Sequence, residues 1–409
     1  MTGRSITAQL LYFIERCIDS ISKGKMVDAI YFDFAKAFDS VPHKRLLHKI
    51  KSFGVCGNVY KWIEGFLLNR KQYVSVEGVS SKVESVLSGV PQGTVLGPIL
   101  FVMYINDLLD GIKSDGVLYA DDTKIFSTIM GKKEAMELQS DIENLERWAE
   151  DWLMNFHPGK CHVLTLGRFE DIKYAHQYKV NNQDIEHVEL EKDLGILIDE
   201  ELKFEEHICT KVRIANALVG RIRRAFTFLD GQAMKTLFTS LVRPHLEYGQ
   251  AIWSPFLMKH IDMIERVQER ATKLINGYSE FSYSERLKLL NLPTLRFRRL
   301  RGDLIEMYKH FHTYDKNAMT GPSFNVRQRS SRQHKYQVNE PFLARRHGLR
   351  ENSFYGRVAR AWNKLPREVA ESKDVNSFKN SLDRHLDSYP MKWDHRWRDS
   401  IPEEDHNLI

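Results

Sequence analysis

Three aspartates stand where an acidic side chain is costly. Asp33 lies inside the apolar run of residues 30–34, and Asp121 and Asp122 lie between the apolar residues 118–120 and 125–126. A buried carboxylate must be neutralised, paired or bound to a metal ion. Gathered carboxylates can hold two divalent ions, which activate a nucleophilic oxygen and stabilise the leaving oxygen of an in-line phosphoryl transfer. The alternative is that each acid only caps a turn or a helix.

The elements around these acids predict that strand ends bring them together. Residues 27–34 are predicted as a strand, which a tight turn and a helix follow. Residues 117–119 and 124–127 are predicted as two strands of a hairpin with the acids at its tip. For Asp39 a capping role is preferred, because Asp39 and the next residue precede a proline, as the residues before a helix start do.

The remaining periodicity predicts an α+β fold, in which helices pack on a mostly antiparallel sheet. Strand signals fade after about residue 203, and helical spacing dominates from there. The predicted helices are 5–22, 96–109, 133–153, 207–229, 232–242, 259–276, 283–290, 294–312 and within 351–387; further strands are 73–76, 82–87, 161–166 and 194–198.

Composition excludes several classes of protein. Hydrophobic residues make up 42% of the 409 residues, with 23 Gly and 12 Pro, so collagen-like, low-complexity and wholly disordered chains are excluded. No apolar stretch approaches the roughly 18 residues of a membrane span. The four cysteines form no Cys-x-x-Cys pair, so neither a zinc finger nor a disulfide framework is predicted. With no signal peptide recognised, an intracellular protein that does not enter a membrane is expected.

Charge divides the chain into unequal halves. Residues 1–200 carry 23 basic and 29 acidic side chains, whereas residues 201–409 carry 37 and 25. Carboxylates in the first half suit metal ions, and cations in the second suit a polyanion. A chance fluctuation explains the charge difference equally well.

Three motifs, in order and at matching spacing, resemble the reverse transcriptases of non-LTR (LINE-type) retrotransposons. They are Tyr31-Phe32-Asp33-Phe34-Ala35-Lys36-Ala37-Phe38-Asp39 (motif A), Gly89-Val90-Pro91-Gln92-Gly93 running into Leu96-Gly97-Pro98 (motif B), and Tyr119-Ala120-Asp121-Asp122 (motif C). The resemblance implies a right-hand polymerase palm, an antiparallel sheet with helices on one face, then a helical thumb and a mainly helical C-terminal region. The implied domains are a palm with a remnant of the fingers (1–200), a thumb (201–276) and a basic C-terminal region with a polar loop at about 320–350 (277–409).

The same resemblance implies an RNA-directed DNA polymerase that uses two Mg²⁺ or Mn²⁺ ions. The implied metal ligands are Asp33, Asp121 and Asp122, and Lys160 is a further catalytic candidate that donates a proton or charge to pyrophosphate. The implied nucleotide contacts are Phe34, Phe38 as an aromatic gate against the 2′-OH, and Gln92 and Gly93 on a glycine-rich loop. A core role for Phe38 and a solvated role for Lys160 stay open.

Basic side chains beyond residue 200 are predicted to bind nucleic acid. Lys211, Arg213, Arg221, Arg223 and Arg224 would grip the phosphates of a template–primer duplex, although a charge run is usually a solvated helix face. Two weaker candidates mix cations with aromatics. They are Arg296, Arg298, Arg299 and Arg301 with Phe297, and Arg327, Arg329, Arg332 and Lys335 with Tyr336.

One departure from the family pattern leaves two functions open. Only residues 3–11 resemble the fingers, so a chain truncated at its N-terminus is expected. The first function is RNA-directed DNA polymerisation with an RNA template, a DNA primer or target and deoxynucleoside triphosphates as partners. The second is a catalytically inactive remnant of a mobile element that binds RNA or DNA. A group II intron or retron-type enzyme is disfavoured. A separate endonuclease or an element-encoded RNA-binding protein is a further expected partner. The expected location of this chain is intracellular, in the nucleus and the cytoplasm.

Overall fold

A computed structural model describes residues 5–167, 176–313, 334–340 and 348–397. The chain divides into two compact units. The sheet unit is Lys25–Glu191, and the helical unit combines Met1–Gly24 with Lys192–Ile409. The predicted division at 200 and 276 stays a prediction, but the first helix groups with the residues from 192 onward rather than with the sheet.

The elements are given in chain order. Helix α1 (Ile6–Ser22) belongs to the helical unit. The sheet unit then contains β1 (Met26–Phe32), α2 (Ala37–Ser40), α3 (His43–Ser52), α4 (Gly57–Leu67), β2 (Lys71–Gln72), β3 (Ser75–Val76), β4 (Val79–Ser80), β5 (Glu84–Ser85), α5 (Leu96–Ile105), β6 (Asp115–Tyr119), β7 (Asp122–Ile129), α6 (Lys132–Asp151), a 3₁₀ turn (Pro158–Lys160), β8 (His162–Leu166), β9 (Lys179–Val180), β10 (Gln183–Asp184) and β11 (Glu186–Val188).

The division between the units falls within β12 (Leu190–Asp193). The helical unit continues with β13 (Ile196–Asp199), α7 (Glu205–Ala225), α8 (Gly231–Leu237), a π-helical turn (Phe238–Val242), α9 (Arg243–Glu247), α10 (Gln250–Trp253), α11 (Met258–Lys273), α12 (Tyr283–Leu290), α13 (Leu295–His312), α14 (Gly348–Asn352), α15 (Phe354–Asn363), α16 (Arg367–Ala370), α17 (Val375–His385) and a 3₁₀ turn (Pro390–Lys392).

A five-stranded sheet forms the centre of the sheet unit. Its strand order is β11-β8-β1-β7-β6, and every pairing is antiparallel except that of β11 with β8. Alternate residues of β1, Met26, Ile30 and Phe32, pack in one hydrophobic core with residues of α3, α5 and α6. The predicted α+β class with a mostly antiparallel sheet is therefore confirmed.

One β1 position in this alternation is a buried aspartate, Asp28. It is 3% exposed. Its carboxylate accepts hydrogen bonds from the Thr165 hydroxyl at 2.8 Å and from the Tyr178 hydroxyl at 2.7 Å. Burial and the Asp28 carboxylate raise the pKa of Tyr178, so the phenol stays a donor. Two donors satisfy the acid inside the sheet unit, which gives Asp28 a structural role.

Prolines and a cap break up two helices that periodicity predicts as continuous. The predicted helix 232–242 divides into α8 and the π-helical turn, where the Arg243 N–H donates to the Phe238 carbonyl. Pro244 follows and has no N–H to continue the usual ladder. The predicted helical region 351–387 divides at Pro366 and at Asp374, which cap α16 and α17. Of the predicted polar loop 320–350, only residues 334–340 and 348–350 lie within the described part.

No helix in the described part of the chain is long and apolar enough to cross a lipid bilayer.

Candidate active site

The three predicted aspartates come to one end of two paired strands. Strand β1 ends at Phe32, directly before Asp33, and the register places Phe32 opposite Thr123 of β7. Because the pairing is antiparallel, Asp33 comes alongside Asp122, the first residue of β7. Asp121 precedes it in the two-residue connection from β6, whose last residue pairs with Asp122. The predicted hairpin with acids at its tip is therefore confirmed.

The expected burial of these carboxylates is wrong. The Asp33 side chain is 41% exposed, Asp121 is half-buried and Asp122 is exposed. The reason is their position: each acid lies just beyond the last apolar residue that the core covers, so its carboxylate faces the solvent at the strand end. The buried carboxylate of β1 is instead that of Asp28. The search for acids inside apolar runs did not single out this residue.

At the hairpin tip the backbone adopts a conformation that is rare for residues other than glycine. Ala120 has a φ of 54°, in the left-handed region. A left-handed non-glycine residue costs about 1–2 kcal/mol, and such residues cluster at sites where a precise geometry is needed. The turn presents Asp121 and Asp122 on consecutive residues at the sheet end.

Lys160 lies beside Asp33 because two backbone segments are bonded to each other. The Ala35 N–H donates to the Asn155 carbonyl at 2.8 Å, and the His157 N–H donates to the Asp33 carbonyl at 2.8 Å. The 3₁₀ turn that follows places the Lys160 ammonium 3.2 Å from the Asp33 carboxylate. The predicted catalytic lysine is thus within reach of the predicted metal ligand, across 127 residues of sequence.

Phe34 and Phe38, two of the predicted nucleotide contacts, pack against other rings. Phe34 is buried and stacks on Phe156 with ring centroids 4.5 Å apart, so only its backbone can face a ligand. Phe38 is half-buried and stacks on Phe101 at 4.4 Å. Phe38 therefore makes the core contact that the sequence left open as an alternative to a nucleotide contact. Its ring remains partly accessible.

The loop of motif B is bonded to the helix of motif A. The Gln92 amide donates to the Asp39 carboxylate at 2.8 Å, and both side chains are exposed. The Gly89 N–H donates to the Val41 carbonyl at 2.8 Å, and a Cβ at Gly89 would lie 2.9 Å from the backbone of Asp39. Gly93 is exposed, with a φ of 76°. This contact carries Gln92 to the same part of the sheet unit as motif A.

The capping role preferred for Asp39 is wrong. Helix α3 begins at His43 with Pro42 at its N-cap, and no side chain caps it. Asp39 lies one turn earlier, in the four-residue helix α2, and accepts from Gln92 instead. The spacing in the sequence could have indicated this arrangement. Five residues separate Asp33 from Asp39, which leaves room for a short helix before Pro42.

The chemistry of the three carboxylates suits a hard divalent cation, which prefers oxygen ligands. Within the described residues, however, no group of three or more His, Cys, Asp or Glu side chains is placed to hold a metal ion. The Asp33 carboxylate is paired with the Lys160 ammonium instead. The strand ends thus place carboxylate oxygens from distant parts of the sequence close together. The binding of two metal ions by these oxygens stays a prediction.

The predicted nucleic-acid contacts Lys211, Arg213, Arg221, Arg223 and Arg224 all lie on α7. The four arginines are exposed, and Lys211 is half-buried, where burial and the nearby charge of Lys192 lower its pKa. At about 100° per residue, Arg213, Arg221 and Arg224 lie within about a quarter of the helix circumference. The structure therefore supports a basic helix face but separates Lys211 from it.

The weaker arginine cluster 296–301 is structural, and the nucleic-acid interpretation of it is wrong. Arg298 forms a two-pronged pair with Glu247, and Arg301 pairs in the same way with Asp383. Arg299 is 3% exposed, so no ligand reaches it. The run lies on α13, which packs against several helices. Arg298 and Arg301 therefore face protein acids, and Arg296 donates to the His395 and Trp397 carbonyls. Of the second weak cluster, Arg327, Arg329 and Arg332 lie outside the described residues.

A family model described as "Reverse transcriptase (RNA-dependent DNA polymerase)" matches residues 3–204. Among curated relatives, the RNA-directed DNA polymerase from mobile element jockey of Drosophila melanogaster is 26% identical over 281 residues, which cover 66% of this chain and 30% of the relative. The jockey polymerase of Drosophila funebris is 27% identical over 322 residues, covering 74% and 34%. The chain thus spans about a third of the length of these relatives.

A telomerase from Candida tropicalis, solved with a TWJ fragment of telomeric RNA, is 10% identical, with a TM-score of 0.39 over 96% of this chain and 52% of that chain.

Proposed function

We propose that this chain is the polymerase part of a non-LTR retrotransposon protein and copies an RNA template into DNA, since its residues 3–204 match the reverse transcriptase family model. The observation that carries the proposal is the meeting of Asp33, Asp121 and Asp122 at one end of β1 and β7, with Lys160 beside them. The reaction is attack of a primer 3′-OH on the α-phosphate of a deoxynucleoside triphosphate.

The three carboxylates would hold two Mg²⁺ or Mn²⁺ ions at this strand end. When bound, such ions supply Lewis-acid chemistry, which lowers the pKa of the attacking hydroxyl and offsets the charge of the phosphates. Binding them requires the Asp33 carboxylate to exchange its lysine partner for the cation. Both partners are more than two-fifths exposed at the side chain, so this exchange costs little.

Lys160 would then serve the departing pyrophosphate. Its side chain is 62% exposed and is held by the Asp33 carboxylate, while its backbone lies in the 3₁₀ turn. A freed ammonium can swing toward the leaving oxygen and give it a proton or a hydrogen bond. The backbone at Phe34 and the Phe38 ring would border the sugar, while Gln92 and Gly93 would approach the nascent base pair.

The same proposal includes nucleic-acid and protein partners. Template and primer would be an RNA strand and a DNA strand, gripped through phosphates by Arg213, Arg221, Arg223 and Arg224, whereas Lys211 lies outside the basic face of that helix. A separate endonuclease or an element-encoded RNA-binding protein would complete retrotransposition. The proposed locations are the nucleus and the cytoplasm.

A nucleic-acid-binding remnant without catalysis is the second candidate, and the Asp33–Lys160 pair favours it. Primer extension on a poly(rA)/oligo(dT) duplex with Mg²⁺ separates the two. The wild-type chain is compared with Asp121→Asn/Asp122→Asn, and Asp115→Asn is the matched control, because Asp115 lies at the other end of β6.

Extension by the wild type and the control, lost in the double variant, is the expected result. Filter binding of the same duplex is measured in parallel. Salt-sensitive binding without extension would reject autonomous polymerisation and leave the remnant.

A further inference from the structure

The segment that follows α7 exposes two aromatic rings. Phe226 is 43% exposed and Phe228 is 67% exposed. Within the described residues, neither ring contacts another ring. Two large apolar side chains two residues apart, both in contact with water, are typical of a surface that a ligand covers.

Three unneutralised arginines adjoin these rings. Residues 219–229 contain Arg221, Arg223 and Arg224 and no acidic residue. All three arginines are exposed, and none of them forms an ion pair with any residue that the structure describes. This stretch therefore concentrates positive charge with no protein partner, which favours an anionic ligand.

The rings are carried on a segment that is fixed at both ends. The Phe226 N–H donates to the Ile222 carbonyl at 3.2 Å, which ties the start of the segment to α7. Leu229 is 3% exposed, its N–H donates to the Asn276 amide oxygen at 2.8 Å, and its carbonyl accepts from the Asn276 N–H at 3.0 Å. A ligand therefore meets a preorganised surface and orders little of it on binding.

We propose that residues 221–228, named here the α7 platform, bind single-stranded nucleic acid, with bases stacked on Phe226 and Phe228 and phosphates on the three arginines. Exposed rings can stack on the faces of unpaired bases, whereas the bases of a duplex already cover one another's faces. The charge selects a polyanion over an apolar partner. The proposal deepens the polymerase function, in which the strand would be unpaired template or product, but strand binding itself requires no catalysis.

Fluorescence anisotropy with a fluorescein-labelled 12-nucleotide oligo(rU), and with a blunt duplex of the same length, tests the platform over a salt series. Phe226→Leu/Phe228→Leu should weaken single-strand binding by about 10- to 100-fold, since each stacked base contributes substantially. Duplex binding should change less than about threefold, and the salt slope should stay unchanged, because no charge is lost. Arg223→Gln/Arg224→Gln should lower the slope by about one to two.

Controls keep this experiment decisive. Phe256→Leu removes a ring that is 49% exposed in the same unit but outside the platform, and it should bind as the wild type does. Phe226→Tyr/Phe228→Tyr keeps both rings and should retain binding, which guards against a folding defect in the leucine variant. An oligonucleotide containing 2-aminopurine should lose fluorescence on binding to the wild type and not to the leucine variant.

Unchanged single-strand affinity in the leucine variant, or an equal loss for the duplex, would overturn the platform. Unchanged affinity would point to a protein partner for the two rings. Strand binding that persists in a chain unable to extend primers would reject the polymerase function and leave the platform standing. Normal primer extension with no loss of strand binding in the leucine variant would reject the platform alone.

Discussion

Replacing Gly89 with alanine should separate the loop of motif B from the helix of motif A. Gly89 has a φ of 91°, and a Cβ there would lie 2.9 Å from both the Cα and the carbonyl oxygen of Asp39. The backbone conformation costs a residue with a side chain about 1–3 kcal/mol. The contact is with main-chain atoms, which cannot turn away, so relieving it adds about 1–3 kcal/mol.

Gly93→Ala is the matched control, because it isolates the conformational cost. Gly93 also has a positive φ, 76°, but a Cβ there meets no atom within 4 Å. The two substitutions thus share the backbone strain and differ in the collision. We expect the sheet unit of Gly89→Ala to lose about 1–3 kcal/mol more stability than that of Gly93→Ala.

Urea unfolding followed by hydrogen–deuterium exchange mass spectrometry measures this difference on peptides of the sheet unit alone. Peptides covering residues 36–45 and 86–95 should also exchange faster under native conditions in Gly89→Ala, because the Gly89 N–H donates to Val41. Primer extension should fall with them, since Gln92 would lose its position next to Asp39. Equal urea midpoints for the two variants would refute the steric argument.

Three further substitutions test other parts of the account. Lys49→Met should destabilise the sheet unit by about 2 kcal/mol in urea unfolding, because Lys49 is 4% exposed and its ammonium lies 3.7 Å from the centroid of the Trp152 ring and donates to the Tyr104 carbonyl and the Asp107 carboxylate; an unchanged midpoint would reject the combined contribution of these contacts. Lys160→Met should leave the melting temperature nearly unchanged, since its exposed pair with Asp33 contributes less than about 1 kcal/mol, while the extension rate falls about 10- to 100-fold; equal rates would remove Lys160 from the mechanism. Burial, with a smaller effect of a nearby lysine, lowers the pKa of His207 to about 4. The unfolded chain therefore binds a proton below pH 6.5 that the folded chain refuses until about pH 4, and stability falls as the pH is lowered through this window by up to about 1.4 kcal/mol per pH unit. His207→Gln, which keeps an acceptor for the backbone, should flatten that slope in urea unfolding between pH 6.5 and 4, and an unaltered slope would contradict the assignment.

Apolar periodicity predicted the sheet, its acid-tipped hairpin and most helices, because these elements form wherever one face is consistently apolar. Apolar periodicity did not predict the solvent exposure of residues at strand ends. The burial of Asp33 depends on where the hydrogen-bonded pairing of β1 with β7 ends. Nor did apolar periodicity separate Asp28 from Asp33. The two look alike in sequence, but Asp28 accepts hydrogen bonds from Thr165 of β8 and from Tyr178, which directly precedes β9. Local pattern could not reveal such partners because they come from residues more than 130 positions away.

Motif spacing was informative where composition was not. The resemblance to reverse transcriptases is confirmed by the family match over residues 3–204. The arginines of α13 show the limit of charge counting, since a basic run with an aromatic resembles an RNA contact until Glu247 and Asp383 are found to neutralise it. The α7 arginines differ because no described acid pairs with Arg221, Arg223 or Arg224.

The central claim is that Asp33, Asp121 and Asp122 hold the divalent ions of a polymerase. Iron(II) can replace Mg²⁺ at such a site and, with ascorbate and peroxide, cleaves the polypeptide within a few ångströms of the ion. Mass spectrometry of the fragments then locates the ion without requiring catalysis. The account predicts cleavage near residue 33 and near residues 121–122, suppressed by excess Mg²⁺ and by Asp33→Asn. Cleavage elsewhere, or none at these positions while primer extension proceeds, would contradict it.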